Sequence, residues 1–70
     1  MERERVSSSN LESVGYNVND EILEIKFHSG GIYQYFNVPL EKFDSLISAS
    51  SKGSYFATYI KNRYRFRKIR

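Results

Sequence analysis

Three consecutive runs in the first half of the chain place apolar residues at every second position. In "LESVGYNV" they are Val14, Tyr16 and Val18, in "EILEIKF" they are Leu23, Ile25 and Phe27, and "IYQYFNV" forms the third run. A period of two belongs to an extended strand with one buried face, because successive side chains point to opposite sides. Asn19–Asp20 and Ser29-Gly30-Gly31 supply turn chemistry between the runs. The pattern predicts a three-stranded antiparallel meander.

After Val38 the period changes. Pro39 fits the first position of a helix, where its missing N–H is no loss, and Leu40, Phe43, Leu46 and Ile47 follow at a spacing of three to four. The serine-rich "SASSKGS" breaks that helix, and a second is expected over Tyr55–Asn62, with Phe56, Tyr59, Ile60 and Arg63 in register. In "RYRFRKI" the period returns to two, with Tyr64 and Phe66 alternating with Arg63, Arg65 and Arg67. This reads as a fourth strand on a sheet edge, its arginines in water. The expected class is α+β: a three- to four-stranded antiparallel meander, two short helices packed on one face, and a basic C-terminal strand or tail. Residues 1–9, alternating Glu and Arg before three serines, read as a flexible lead-in to a single domain over residues 10–70.

A 70-residue chain buries only about 60% of the surface its unfolded form exposes, and so has a thin stability margin. With no cysteine, disulfides and thiolate metal sites are excluded, so six Tyr and five Phe must supply much of the core. The longest uncharged stretch, Phe27–Leu40, contains Ser, Gly, Gln and Asn, which excludes a membrane span in that stretch. The N-terminus has no apolar segment of the secretory kind, so the expected location is the cytoplasm.

The net charge of +3 conceals a division: residues 1–44 hold all eight acids and carry −4, whereas residues 45–70 hold seven bases, no acid and carry +7. Such a positive end steers toward an anionic partner unless the two halves neutralise each other in the fold. The last ten residues, "KNRYRFRKIR", contain six basic residues, four of them arginine. A basic edge strand also discourages aggregation, but lysine serves that purpose equally well. Arginine adds bidentate phosphate contact and stacking on bases, and favours a binding role.

The length of the Ser29–Gly31 turn decides what Tyr33 and Tyr35 do. A two-residue loop puts Gln34 and Phe36 on the face of Leu23, Ile25 and Phe27, and sends both tyrosines outward as a stacking platform. A three-residue loop, with Gly in the left-handed position, turns Tyr33 and Tyr35 into the core, leaving Gln34 in water and Phe36 exposed. The residues alone leave both registers open.

Catalytic chemistry finds little support. His28 is the only histidine and sits beside a glycine turn, while Glu21 and Glu24 fall on opposite faces of one strand. Ser50, Ser51 and Ser54 are natural helix caps. A helix start there, with Lys52 and Gly53, also lets a phosphate approach closely, but Walker spacing is absent.

The segments "LESVGY", "LEIKFHSGGIYQYFNVP" and "ASSKGSYFATYIKNRYRFRKI", from Ser8 to the end, together resemble the KTSC domain, a module named for its place at the C-terminus of some lysyl-tRNA synthetases and also found as a stand-alone bacterial protein. The resemblance rests on Tyr33-x-Tyr35, Val38-Pro39 and Ser51-Lys52-Gly53 in order, and its association with a tRNA-handling enzyme implies RNA binding. The expectation is a non-catalytic, monomeric binder of RNA, with tRNA as a candidate, needing no cofactor or metal and no membrane. Lys52, Gly53, Lys61, Arg63, Arg65 and Arg67 would meet phosphates, and Tyr33 and Tyr35 would stack bases. The alternative is an interaction module that docks an acidic protein on its aromatic residues.

Overall fold

The computed structural model describes all 70 residues and contains one antiparallel sheet in the order β1-β2-β3-β4-β5, with two helices between β4 and β5. The strands are β1 (Glu4–Arg5), β2 (Leu11–Asn17), β3 (Ile22–Phe27), β4 (Ile32–Tyr35) and β5 (Phe66–Lys68), and the helices are α1 (Leu40–Ser48) and α2 (Lys52–Tyr59). The α+β class stands as expected, with two helices and an antiparallel sheet whose last strand is β5. The sheet has one strand more than the sequence suggests, because β1 pairs with β2 at Glu4↔Val14 and Arg5↔Ser13. Residues 1–9, read as a lead-in, thus supply a sheet edge.

The turn into β4 settles the tyrosine register. Phe27 N–H donates to the Gly31 carbonyl at 3.0 Å and Gly30 N–H to the Phe27 carbonyl at 2.8 Å, which closes a three-residue loop over His28–Gly30. Gly30 has φ 109°, a conformation closed to most L-residues. Leu23 then opposes Tyr35 and Ile25 opposes Tyr33, so both tyrosines share the core-side face. Two details differ from the expectation for this register. Gln34 is half-buried, its Nε2 donating to Glu24 Oε1 at 2.9 Å, and Phe36 is half-buried rather than exposed.

The core lies between this face and the helices, around Leu11, Val14, Leu23, Ile25, Tyr35, Val38, Leu46, Phe56 and Ile60. The register shift in β2 leaves Glu12 as an extra residue, so both Leu11 and Val14 reach the core although they are three apart. Val18 falls in the turn after β2 and is exposed, and Leu40 also faces water at the start of its helix. Phe43 stacks on Tyr16 with ring centroids 4.9 Å apart, and the Tyr16 hydroxyl donates to the Val38 carbonyl at 2.6 Å. Burial, with Glu21 and Asp44 adding to it, raises the Tyr16 pKa and keeps that donor protonated.

Pro39 occupies the N-cap of α1, one position before the expected place. Helix α2 starts three residues earlier than the periodicity indicates, because Ser51 Oγ accepts from Ser54 N–H at 3.4 Å and caps a first turn of Lys52, Gly53 and Ser54. It ends at Tyr59, so Lys61, Asn62 and Arg63 belong to the connection to β5.

Candidate nucleic-acid interface

Strand β5 pairs with β4 as Tyr33↔Lys68, Gln34↔Arg67 and Tyr35↔Phe66. Alternation therefore aims Phe66 and Lys68 toward the helix side of the sheet and Arg67 toward the open side. Phe56 of α2 packs edge-on against Phe27 at 5.4 Å and Tyr35 at 5.3 Å, which fixes the helix over the middle of the sheet. The edge beyond it is left uncovered. Phe66 is 56% exposed there, 5.8 Å from the Tyr33 ring and 5.6 Å from that of Tyr35.

The result is a cleft of about 670 Å³ between α2 and the β4–β5 edge, floored by Phe27, Tyr33, Tyr35, Phe56 and Phe66. Its rim is formed by Asn10, His28, Ser29, Lys61 and Asn62, and no acidic residue lines it. Lys68 adds a cation 6.0 Å from the Tyr33 ring centroid. Tyr35 is almost wholly buried, and desolvation, with Tyr33 beside it, pushes its pKa up to about 12. It is therefore a neutral part of the floor at physiological pH, and Tyr33 and Phe66 offer the accessible aromatic surface. His28 stands on the rim with its backbone N–H on the Asn10 carbonyl at 2.9 Å and its Nε2 3.0 Å from the Ser8 carbonyl.

A second hollow of about 340 Å³ adjoins the cleft at Ser9, Asn10 and Gly53. It is lined only by polar residues and glycine, from Ser7–Asn10 and Ser50–Ser54. The Lys52 ammonium here donates to the Ala49 carbonyl at 3.1 Å, holding the end of α1. Gly53 faces Asn10, whose Nδ2 would lie 3.2 Å from a Cβ at that position.

The residues singled out in the sequence thus separate into groups. Tyr33, Tyr35, Gly53 and Lys61 meet at the cleft, and Lys52 sits in the adjoining hollow. Arg63 lies on the connection after α2, its Nε donating to the Thr58 carbonyl at 3.3 Å. Arg67 lies on the opposite face of the sheet, and the Phe36 N–H bond to the Arg65 carbonyl at 2.9 Å carries the alternation one step beyond β5, which puts Arg65 on the same side as Arg67. The four basic residues Lys61, Arg63, Arg65 and Arg67 therefore do not form one row. Phe66, Phe27, Asn10 and Asn62 complete the cleft without having been singled out as binding residues, and Lys68 lies beside it over Tyr33. The alternation of "RYRFRK" marks Phe66 as facing away from the arginines, but which side is open depends on helix placement.

The charge division survives folding. The molecule has two ion pairs, Arg3–Glu24 and Lys26–Glu12, and both lie within the first 26 residues. No carboxylate of the acidic half pairs with a base of the C-terminal half.

The model of the KTSC domain matches residues 7–64. The chain belongs to the KTSC domain family. A crystal structure of a KTSC domain protein from Yersinia pestis superposes with a TM-score of 0.96 at 42% identity, covering 99% of this chain and 97% of that one. A protein of Stutzerimonas stutzeri is 40% identical over 70 residues, 99% of either chain. A lysine–tRNA ligase of Nostoc is 36% identical over 59 residues, which are 84% of this chain and 10% of the ligase. The KTSC domain thus occurs both as a small protein and as a minor part of a large enzyme. No helix of this KTSC domain is long and apolar enough to cross a membrane.

Proposed function

We propose that this KTSC domain is a non-catalytic binder of single-stranded RNA, with unpaired segments of tRNA among its targets. The observation that carries the reading is the cleft itself: aromatic rings on its floor, Lys61 and Lys68 beside it, and no acid on its lining. Aromatic faces accept unpaired bases of any sequence, and flanking cations neutralise the phosphates. The match to a segment of an enzyme named for joining lysine to tRNA supports RNA as the partner. His28, hydrogen-bonded at its rim position, acts as a polar wall of the cleft and not as a base.

An amide-shift titration of the whole chain with a short single-stranded RNA and with bulk tRNA tests this. Saturable shifts are expected at Tyr33, Lys61 and Phe66. With about two phosphates neutralised, by Lys61 and Lys68, the log–log salt slope is near −1.4, a loss of roughly sevenfold between about 50 and 200 mM salt. Absence of any shift at low salt overturns the reading and directs the search to an acidic protein partner.

A further inference from the structure

We propose that a bound RNA strand crosses the free edge of β5, laying bases in the cleft on one side of the sheet and its continuing phosphates on Arg65 and Arg67 on the other. This rests on the reading of the cleft as an RNA site, and gives a purpose to basic residues that the fold turns away from it.

β5 ends the sheet, so no chain covers its outer side. Within its span, Phe66 faces the cleft and Arg67 faces away, and the Phe36 N–H bond to the Arg65 carbonyl at 2.9 Å continues the ladder. In an antiparallel ladder the backbone groups of residues 65 and 67 then point to β4, so the N–H groups of Phe66 and Lys68 point outward at the edge. They are donors in the path of a crossing phosphate. Arg65 and Arg67 are exposed and make no ion pair, while Glu24 and Glu12 on β3 and β2 are held by Arg3 and Lys26. The open face near β5 therefore presents uncompensated guanidinium groups, whose planar fork suits phosphate. A duplex cannot divide its bases from its backbone around a strand edge, so the path is open only to a single strand.

Binding of UpU and of decauridylate to the full chain, followed by amide shifts at low salt, separates the crossing from the cleft. Phe66→Ala should weaken both probes by about tenfold, the loss of one stacking partner. Arg65→Gln with Arg67→Gln should leave UpU unchanged and weaken decauridylate by about tenfold, lowering its salt slope by about 1.4 for two phosphates. All three side chains are exposed, and Phe66→Leu repeats the test with the edge better filled. If the arginine pair weakens neither probe, or both equally, the crossing is wrong while the cleft stands. If neither probe binds the unaltered chain, the cleft reading falls and the crossing falls with it.

Discussion

At one edge of the sheet Arg3 reaches over Gly15 to form an ion pair with Glu24, and its Nε donates to Ser13 Oγ at 3.3 Å. At the other edge Arg67 projects on the same open face and meets no carboxylate. Both arginines lie in or beside short edge strands and alternate with residues of other character. The difference is in what the neighbouring strands present. β1 lies against the part of β2 and β3 that carries Ser13 and the buried Glu24, whereas β5 lies against Gln34, whose amide already donates to Glu24. The N-terminal arginine is a structural group, although its sequence reads as a flexible lead-in, whereas the C-terminal ones make no ion pair within the fold.

Removing Arg3 should do the most damage at either edge. Glu24 has a side chain only 5% exposed, and Arg3 is its ion-pair partner. Arg3→Ala leaves a desolvated carboxylate with the Gln34 amide as its remaining side-chain donor, and should cost about 2 kcal/mol in urea unfolding, below the loss for a fully buried pair because Arg3 is partly exposed. Adding Glu24→Gln to that variant removes the stranded charge and should recover most of the loss. An Arg3→Ala protein as stable as the parent would place the two edges on the same footing.

Gly15 gives a smaller effect on the same edge. A Cβ there would overlap the Glu2 carbonyl oxygen and approach the Arg3 Cγ at 3.1 Å. Gly15→Ala should lift the N-terminal segment from the sheet and cost about 1 kcal/mol, partly offset by the lower chain entropy of alanine. Hydrogen exchange checks it: Val6 N–H, bonded to the Glu12 carbonyl at 3.1 Å, should lose protection while the β3–β4 ladder keeps its own.

These two edges also mark where the sequence is readable. The central meander was legible because Leu23, Ile25 and Phe27 share a strict period with a buried face, and the Gly30-Gly31 pair announced the turn. Its length was not legible, since two- and three-residue loops satisfy the same letters; the left-handed Gly30 and the burial of Tyr35 decide it. β1 was hidden because "ERER" carries no apolar period at all, and its place depends on the absent side chain of Gly15 eleven residues away. Of the cleft, Tyr33, Tyr35 and Lys61 were visible as residue types, but that Phe66 joins them and Arg67 does not follows from one register, Tyr35↔Phe66.

The smallest expected effect is the sharpest on the C-terminal edge. Because Arg65 and Arg67 are exposed and unpaired, Arg65→Ala with Arg67→Ala should change unfolding stability by less than about 0.5 kcal/mol, within the range of neutral surface changes. It can even stabilise slightly, since seven bases crowd residues 45–70 with no acid among them, and removing two relieves repulsion. Raising the salt concentration should shrink any such gain, because screening already weakens that repulsion in the parent. A clear loss of stability would instead mean that these arginines hold the sheet edge as Arg3 does. Conserved stability would leave their charge with no internal role, and a binding partner as the physical reason for an arginine at each position.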